Sequence, residues 1–194
     1  VDIDPITFTI DATNIAEKIT SNTKAIIPVH LFGHPCNMTD IMAIAASHNL
    51  YVVEDCAQSH LATFDSQKVS TFGIAGTYSF FPGKNLGAFG DAGAIVTNDD
   101  QFAETARMIA NHGALVKHQH KIEGVNSRLD GLQAAILNVK LNYIESWTNQ
   151  RIQNAALYTQ RIQDKGLDMI HTPSTNSNCK HVFHLYVIRT EKRD

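Results

Sequence analysis

Lys84 is the residue whose surroundings in this sequence most invite a chemical role. It lies in the stretch "SFFPGKNLGAFGDAG", residues 79–93, among phenylalanines and glycines. Lysine normally keeps its charge in water at the surface, so this position indicates either a solvated turn or a nucleophile. Desolvation lowers the pKa of an amine, and a neutral amine attacks a carbonyl to form a Schiff base.

Acidic and polar side chains follow two apolar runs that are typical of strands. Asp55 comes soon after "LYVV" with Gln58 close behind it, and Ser79 ends "AGTYS" shortly before Lys84. In an open parallel sheet, ligands bind beyond the carboxyl ends of the strands. Each residue alone is more typical of a turn or a cap. Together they favour pyridoxal phosphate, which needs a lysine and an acid beside its pyridine nitrogen.

The residue spacing does not fit the common nucleotide-binding or metal-binding motifs. Asn85 follows Lys84 where a phosphate-binding P-loop needs Ser or Thr, and the glycines at 83, 87, 90 and 93 do not fit GxGxxG. The histidines at 118 and 120, or at 181 and 184, could form metal-binding pairs. No acid stands at a spacing that completes a site of the HExxH kind, so we predict no metal site.

The composition indicates an ordinary globular protein of one domain or a little more. The chain has 194 residues, 43% hydrophobic and 18% charged, with a net charge of −3, which gives no electrostatic reason to expect nucleic acid or an anionic membrane. No apolar run is long enough to span a membrane, and the first residues do not resemble a signal peptide. The three cysteines, Cys36, Cys56 and Cys179, lack disulfide or zinc spacing and are expected to be buried and reduced in a cytoplasmic protein.

Alternating apolar runs and helical patterns predict a parallel α/β sheet in the first half of the chain. Predicted strands cover residues 24–32, the run that ends at Glu54 and Asp55, and the stretches "AGTYSFF" and "GAIVTND". Predicted helices cover residues 39–49, with Thr39 as the cap, and the segment after Asp99, with Phe102, Ala106 and Ile109 on one face.

Long helices are predicted from Arg128 onwards. The first carries an apolar stripe, and a second runs from about Asn149 to about Gly166; the stripe consists of Leu132, Ala135, Ile136, Val139, Tyr143 and Trp147. Residues 182–188, "VFHLYVI", are expected to form one strand of a smaller unit.

Three stretches together resemble a known family. "VVEDCAQSH", "SFFPGKNLGAFGDAGAIVTND" and "VNSRLDGLQAAIL" are similar to the DegT/DnrJ/EryC1/StrS sugar aminotransferases, in that family's order and at about its spacing. The resemblance implies the central part of a fold type I large domain, with a mainly parallel sheet flanked by helices. It implies a cofactor-binding domain over residues 1–147 that lacks its N-terminal part. Residues 148–194 would be a linking helix and the start of a truncated small α+β domain.

The resemblance also implies roles for individual residues. Lys84 matches the lysine that joins the cofactor pyridoxal 5'-phosphate covalently, and Asp55 matches the acid that pairs with its pyridine nitrogen. Gln58 matches a glutamine near the phenolic oxygen of the ring, and Ser79 a hydroxyl that contacts the phosphate. Asn126 matches an asparagine that reaches the cofactor phosphate in the partner subunit, which implies a homodimer with shared active sites.

Arg128, His118 and His120 are expected near the sugar substrate. The implied reaction moves an amino group from an amino acid, with glutamate the expected donor, to a keto sugar on a nucleotide diphosphate, for amino-sugar and polysaccharide biosynthesis. "NHGALVKHQH" favours the 3-position of the sugar over the 4-position. The related sugar dehydratases carry histidine in place of the lysine, so Lys84 argues against that branch.

Two departures from the family pattern are Leu61 and Ala92, which stand where glycine is usual. Family chains are about twice this long, so we expect a fragment of low activity. The alternative is a non-catalytic regulator or a truncated pseudoenzyme on the same scaffold.

Overall fold

In the computed structural model, which describes residues 1–191, two small sheets form the framework. The strands, in chain order, are β1 (Ala25–Ile26), β2 (Tyr51–Asp55), β3 (Thr63–Phe64), β4 (Gln67–Lys68), β5 (Ala75–Ser79), β6 (Gly93–Val96) and β7 (Cys179–Lys180). The larger sheet has the order β1-β2-β5-β6, with β1, β2 and β5 parallel and β6 antiparallel to β5. The smaller sheet, β4-β3-β7, is antiparallel.

Four α-helices accompany the sheets in residues 1–191. They are α1 (Met38–Ser47), α2 (Asp100–Ala110), α3 (Gly131–Leu141) and α4 (Ile144–Asp164), and short 3-10 turns cover Ala12–Asn14, Ala16–Lys18 and Leu31–Gly33. Among the described residues, no helix combines the length and the apolar character that crossing a membrane requires.

The main core lies between α1 and the β1-β2 edge of the larger sheet. Met38, Ile41 and Ala45 recur at helical spacing and are buried on one face of α1. They join Ile26 and Val52 from the strands in one apolar cluster. This packing fixes β2, whose last residue is Asp55.

The predicted strands and helices around the candidate site are confirmed, with changes at their ends. β2, β5 and β6 lie where the sequence places them, and Asp99 caps α2 by accepting a hydrogen bond from the Phe102 N–H at 2.8 Å. The cap of α1 is Asn37, which accepts from the Asp40 N–H at 3.3 Å, so the prediction of Thr39 was wrong. Asn37 stands just before the first helical residue, the position from which a side chain reaches the free N–H groups.

The predicted strand over residues 24–32 is much shorter in the structure. Only Ala25–Ile26 pairs as a strand, followed by one isolated bridge between Val29 and Asp55. Pro28 interrupts the ladder because it has no N–H to donate. The chain then turns at Leu31–Gly33, where Phe32 has a φ of 59°.

The predicted strand over residues 182–188 was wrong. Its backbone pairs with no strand in the described part of the chain, and its polar groups bond to the Leu31–Gly33 turn instead. Apolar alternation there reflects packing of a loop: Val182 is fully buried while Leu185 is exposed.

The helices after Arg128 also differ from the prediction. α4 begins at Ile144 rather than near Asn149. The apolar stripe is divided between α3 and α4, and Leu132 and Val139 are 72% and 64% exposed, whereas Leu137 and Ile144 are buried. The predicted domain boundary after residue 147 falls within the first turns of α4 and stays a prediction.

Candidate functional site

The loop that carries Lys84 closes tightly after β5. The Lys84 N–H donates to the Phe81 carbonyl at 2.9 Å and the Ala88 N–H donates to the Phe80 carbonyl at 2.7 Å. A Cβ at position 87 would lie 2.4 Å from the Pro82 carbonyl oxygen, so this close approach requires the glycine found there. The loop leaves Lys84 partly buried at the end of the sheet.

Helix α3 anchors the far side of this loop. The Lys140 ammonium donates to the Gly87 carbonyl at 2.6 Å and lies 4.8 Å from the centre of the Phe89 ring. Gln133 accepts from the Phe89 N–H at 2.8 Å. A charge-assisted hydrogen bond is roughly twice as strong as a neutral one, so the loop is tied to a rigid helix.

Asp55 and Ser79 end neighbouring parallel strands. Asp55 pairs in register with Thr77, which lies two residues before Ser79 at the end of β5. Its Oδ1 accepts from the Ala57 N–H at 2.9 Å, and no hydrogen bond to its Oδ2 occurs within residues 1–191. Ser79 Oγ accepts from the Phe81 N–H at 3.3 Å. Asp55, Ser79 and the Lys84 loop therefore share one edge of the sheet.

Gln58 is held by the turn that follows β1. Its Oε1 accepts from the Phe32 N–H at 2.6 Å. Phe32 is one of the non-glycine residues with positive φ, and this hydrogen bond helps to hold the turn in that conformation. The side-chain amide nitrogen of Gln58 keeps its donor capacity for a ligand.

A groove of about 1150 Å³ runs along β5, β6 and α2. Lys84, Ser79 and Arg128 all line it, whereas Asp55 and Gln58 lie outside its lining. Arg128 reaches the groove while its Nη1 donates to Asn111 Oδ1 at 3.0 Å. The structure therefore brings three of the predicted residues into one concave surface.

The remaining predicted residues lie apart from this edge. Asn126 makes an isolated backbone bridge with Asn111, and His120 Nδ1 lies 2.7 Å from the His112 carbonyl. His118, with a φ of 67°, belongs to the same segment, residues 115–130, whose side chains are all exposed. Of this segment, Ser127, Arg128 and Leu129 line the groove, whereas His118, His120 and Asn126 do not.

Two histidines close to Lys84 were not predicted as site residues. Burial, followed by the nearby charges of His184 and Lys84, lowers the pKa of His60 to about 4. Burial, followed by Lys84 and Arg151, lowers the pKa of His184 to about 4. Both imidazoles are therefore uncharged at neutral pH. The position of His60 in "CAQSH", two residues after Gln58, was the available sequence signal.

His60 is buried with neither ring nitrogen hydrogen-bonded in the described structure. It is 5% exposed, and its ring packs 5.0 Å from Tyr78 and 5.9 Å from Phe80, centre to centre. The side-chain nitrogen of Asn85 is buried without a partner there as well. Unpaired buried groups cost free energy, so these atoms are a place where a ligand, water or further protein would bind.

Behind Asp55, the buried carboxylate of Glu54 organises the end of β2. It accepts from His30 Nε2 at 3.1 Å and from the N–H groups of Ser70, Phe72 and Gly73 at 2.8 to 3.0 Å. Burial alone would raise the pKa of Glu54, but the bonds from His30, Gly73 and Ser70 together hold it below its usual value. The segment after β4 is thereby fastened beneath the site.

His30, Glu54 and Cys56 offer metal-ligand atoms within 4.8 Å of one another. His30 Nδ1 accepts from the Cys36 N–H at 3.0 Å, so both ring nitrogens and both carboxylate oxygens are engaged in hydrogen bonds. Burial raises the pKa of the Cys56 thiol, which keeps it protonated. The cluster has the chemistry of a buried hydrogen-bond network.

The fold is that of the fold type I pyridoxal-phosphate aminotransferases, which are among the solved structures that resemble this chain. The sequence profile of the DegT/DnrJ/EryC1/StrS aminotransferase family matches residues 1–194. The chain belongs to this family.

Two named relatives and one solved structure match the whole of this chain. The chain is 50% identical over its whole length to a "pleiotropic regulatory protein" of Geobacillus stearothermophilus and covers 52% of it. It is 46% identical over its whole length to a dTDP-3-amino-3,6-dideoxy-alpha-D-galactopyranose transaminase of Aneurinibacillus thermoaerophilus and covers 53% of it. Crystalline DesV of S. venezuelae, in complex with a ketimine intermediate, matches with a TM-score of 0.95 and 41% identity, over 100% of this chain and 52% of DesV. The chain thus spans about half the length of these relatives.

Proposed function

We propose that the protein to which this chain belongs is a pyridoxal-phosphate-dependent nucleotide-sugar aminotransferase. The observation that carries the proposal is the meeting of a partly buried lysine, a carboxylate and a hydroxyl at one edge of the sheet: Lys84, Asp55 and Ser79. Family membership supports it, since the transaminase relative is similar along the entire chain.

The donor set fits the cofactor's chemistry. Lys84 would hold the cofactor's carbonyl carbon, Asp55 its pyridine nitrogen, and Ser79 its phosphate. Asp55 is suited to that role because Oδ1 is fixed by the Ala57 N–H while Oδ2 accepts no hydrogen bond within residues 1–191. Bound pyridoxal phosphate supplies an electron sink for negative charge that develops on a substrate carbon.

Lys84 would act as the proton carrier. Lys84 lines the groove, and its two neighbouring imidazoles, His60 and His184, are uncharged at neutral pH. As a general base it would take a proton from the substrate carbon that bears the amino group. The same ammonium would return a proton to the keto carbon of the sugar in the second half-reaction.

Arg128 and the groove support a nucleotide-diphosphate keto sugar as the substrate. A guanidinium binds phosphate oxygens through several parallel N–H donors, and Arg128 lines the same groove as Lys84. His118 and His120 would contribute from the neighbouring exposed segment. One relative is named for a 3-amino sugar product, which favours a 3-keto sugar as the substrate. Glutamate is the proposed amino donor. The proposed role of the reaction is in amino-sugar and polysaccharide biosynthesis.

A homodimer with shared sites belongs to the same proposal. Asn126 lies on a fully exposed segment, as a residue that reaches a partner must. The free thiols of Cys36, Cys56 and Cys179 support a cytoplasmic location, because reduced cysteines persist in a reducing compartment.

The test uses the full-length protein purified with pyridoxal phosphate. We expect visible absorption that borohydride abolishes, together with transfer of the glutamate amino group to a panel of dTDP- and UDP-linked keto sugars. Lys84→Ala should abolish both, whereas Lys68→Ala, at an exposed lysine of β4, should leave both unchanged. A Lys84→Ala protein that keeps the reducible absorption would contradict the proposal. Wild-type protein without absorption would favour a non-catalytic regulator.

A further inference from the structure

Residues 181–185 lie between two loops of the candidate site. On one side, the Val182 N–H donates to the Gly33 carbonyl at 3.0 Å, and the Leu185 N–H donates to the Phe32 carbonyl at 3.4 Å. Phe32 is also the residue that donates to Gln58. The segment is therefore joined through one turn to a predicted cofactor-binding side chain.

Gly33 allows this contact to be close. Its φ is +97°, a conformation that favours glycine, and a Cβ there would lie 2.8 Å from Val182 Cγ2. The same Cβ would lie 3.1 Å from the His184 nitrogen and from the Gln58 carbonyl oxygen. The absence of a side chain at position 33 thus lets three segments meet at one point.

On the other side, His184 contacts the lysine loop. Its Nδ1 lies 3.0 Å from Asn85 Oδ1, and Asn85, the neighbour of Lys84, is only 7% exposed. Because an amide oxygen only accepts, His184 Nδ1 carries the proton and donates. Arg151 of α4 supports the segment by donating to the Phe183 and His184 carbonyls at 3.4 Å.

We propose that His184 is a positioning residue that holds the Lys84 loop through the side chain of Asn85, so that residues 181–185 clamp the lysine against the Gln58 turn. The inference rests on the proposed function, since it concerns the placement of the Lys84 amine. Residues 181–185 follow β7 as a loop, so their backbone is free to bond to the Leu31–Gly33 turn while His184 contacts Asn85.

The charge state of His184 suits this role. Burial, then the charges of Lys84 and Arg151, lower its pKa to about 4, so the ring is neutral at pH 7. A neutral ring donates to Asn85 without placing a second positive charge beside Lys84. The facing titratable groups are His60, Lys84 and Arg151.

The test measures how fast the Lys84 amine captures its cofactor in full-length apoprotein. Pyridoxal phosphate is added, and the growth of the borohydride-sensitive visible absorption is followed. We expect His184→Leu to slow capture about 10-fold or more, because small misplacements of a reacting group are costly. His184→Gln keeps a donor for Asn85 and should capture within about threefold of wild type. The matched control is His48→Leu, at an exposed histidine after α1.

Asn85→Ala provides an independent arm if His184→Leu fails to fold, as judged by its thermal unfolding. We expect it to slow capture by a similar factor, with no further loss in the double variant, because the two side chains act in series. Equal capture by wild type and His184→Leu, equal slowing by Leu and Gln, or additive loss in the double variant would each overturn the clamp. Capture by Lys84→Ala would instead overturn the proposed function itself.

Discussion

Glu54 shows how a buried charge can serve the residue next to it. Its carboxylate is fully buried and accepts from His30 and from three backbone N–H groups. The neighbouring residue along β2 is Asp55, whose carboxylate is a proposed cofactor ligand. Four hydrogen bonds to Glu54 fix the end of β2 and so limit the positions that Asp55 can adopt.

Glu54→Gln should therefore be strongly destabilising. The amide keeps one acceptor oxygen but turns its NH2 group towards donors that lose their partner, so we expect the free energy of unfolding to fall by about 2 to 3 kcal/mol. Denaturant titration of the full-length protein measures it. Glu104→Gln, at an exposed residue of α2, is the control and should change stability by less than about 0.5 kcal/mol.

The pH dependence of that difference has a definite sign. The pKa of Glu54 is held below the usual value of 4.5, so its stabilisation is complete above pH 4.5 and is lost as the pH falls through the lower, folded value. The gap between wild type and Glu54→Gln should stay constant from pH 7 to pH 5 and narrow below that range. A gap that widened on acidification would contradict this account.

The buried histidines should make the protein sensitive to mild acid. Burial lowers the pKa of His60 to about 4 and that of His181 to about 3, from a usual 6.5. Below pH 6.5 the unfolded chain therefore binds more protons than the folded one. The free energy of unfolding should then fall on acidification, by about 1.4 kcal/mol per pH unit for each such histidine.

His60→Phe tests this slope. Phenylalanine fits among aromatic neighbours and does not titrate, so stability between pH 6.5 and pH 4.5 should decline less steeply than in wild type. Chemical denaturation at a series of pH values measures the slope. His48→Phe, at an exposed site, should leave the slope unchanged; equal slopes for all three proteins would sink the explanation.

At the scale of elements, the sequence predicted those strands and helix ends that depend on residues close together in the chain. The apolar run before Asp55 and the Asp99 cap of α2 were predictable because burial and capping depend on neighbouring residues. Residues 182–188 alternate like a strand, yet their partner is the Leu31–Gly33 turn far along the chain. Nothing in the local pattern specifies such a contact, so His184 was considered only as a metal ligand.

The same limit applies to the candidate site. Asp55, Gln58, Ser79 and Lys84 could be proposed together because parallel strands end at one edge. The contact between Asn85 and His184 joins residues that are far apart in the sequence, and only the folded chain reveals it.

The N-terminus of α1 offers a direct test of the corrected cap. Asn37→Ala removes the oxygen that accepts from the Asp40 N–H and should lower the free energy of unfolding by about 1 kcal/mol. Thr39→Ala, inside the first turn, should change it by less than about 0.5 kcal/mol. Thermal and denaturant unfolding of the two full-length variants measures both. A larger loss for Thr39→Ala would restore the sequence-based assignment.

At the scale of the whole molecule, much apolar surface of this chain is exposed. Leu132, Val139 and Tyr143 are 72%, 64% and 53% exposed along the stripe of α3 and α4. Because the chain spans about half the length of its relatives, the rest of the protein or a partner subunit would pack on such a surface. The proposed dimer predicts that sites assembled from two subunits can be rebuilt from two inactive variants.

Complementation tests the shared site directly. Lys84→Ala removes the proposed lysine of one site, and Asn126→Ala removes the proposed contact to the partner's cofactor phosphate. In a mixed dimer both defects fall in the same site, so the second site is intact. Random mixing makes half of the dimers mixed, each with one good site of two, so about a quarter of wild-type transaminase activity should return.

The control separates a shared site from a local one. Lys84→Ala mixed with Asp55→Ala places both losses within the site of each subunit, so every site in that mixture lacks one of the two and no activity should return. Both mixtures are unfolded and refolded together, with dimer formation checked by light scattering. Activity that stays absent in the Lys84→Ala and Asn126→Ala mixture, although mixed dimers form, would mean that Asn126 does not serve the partner's site.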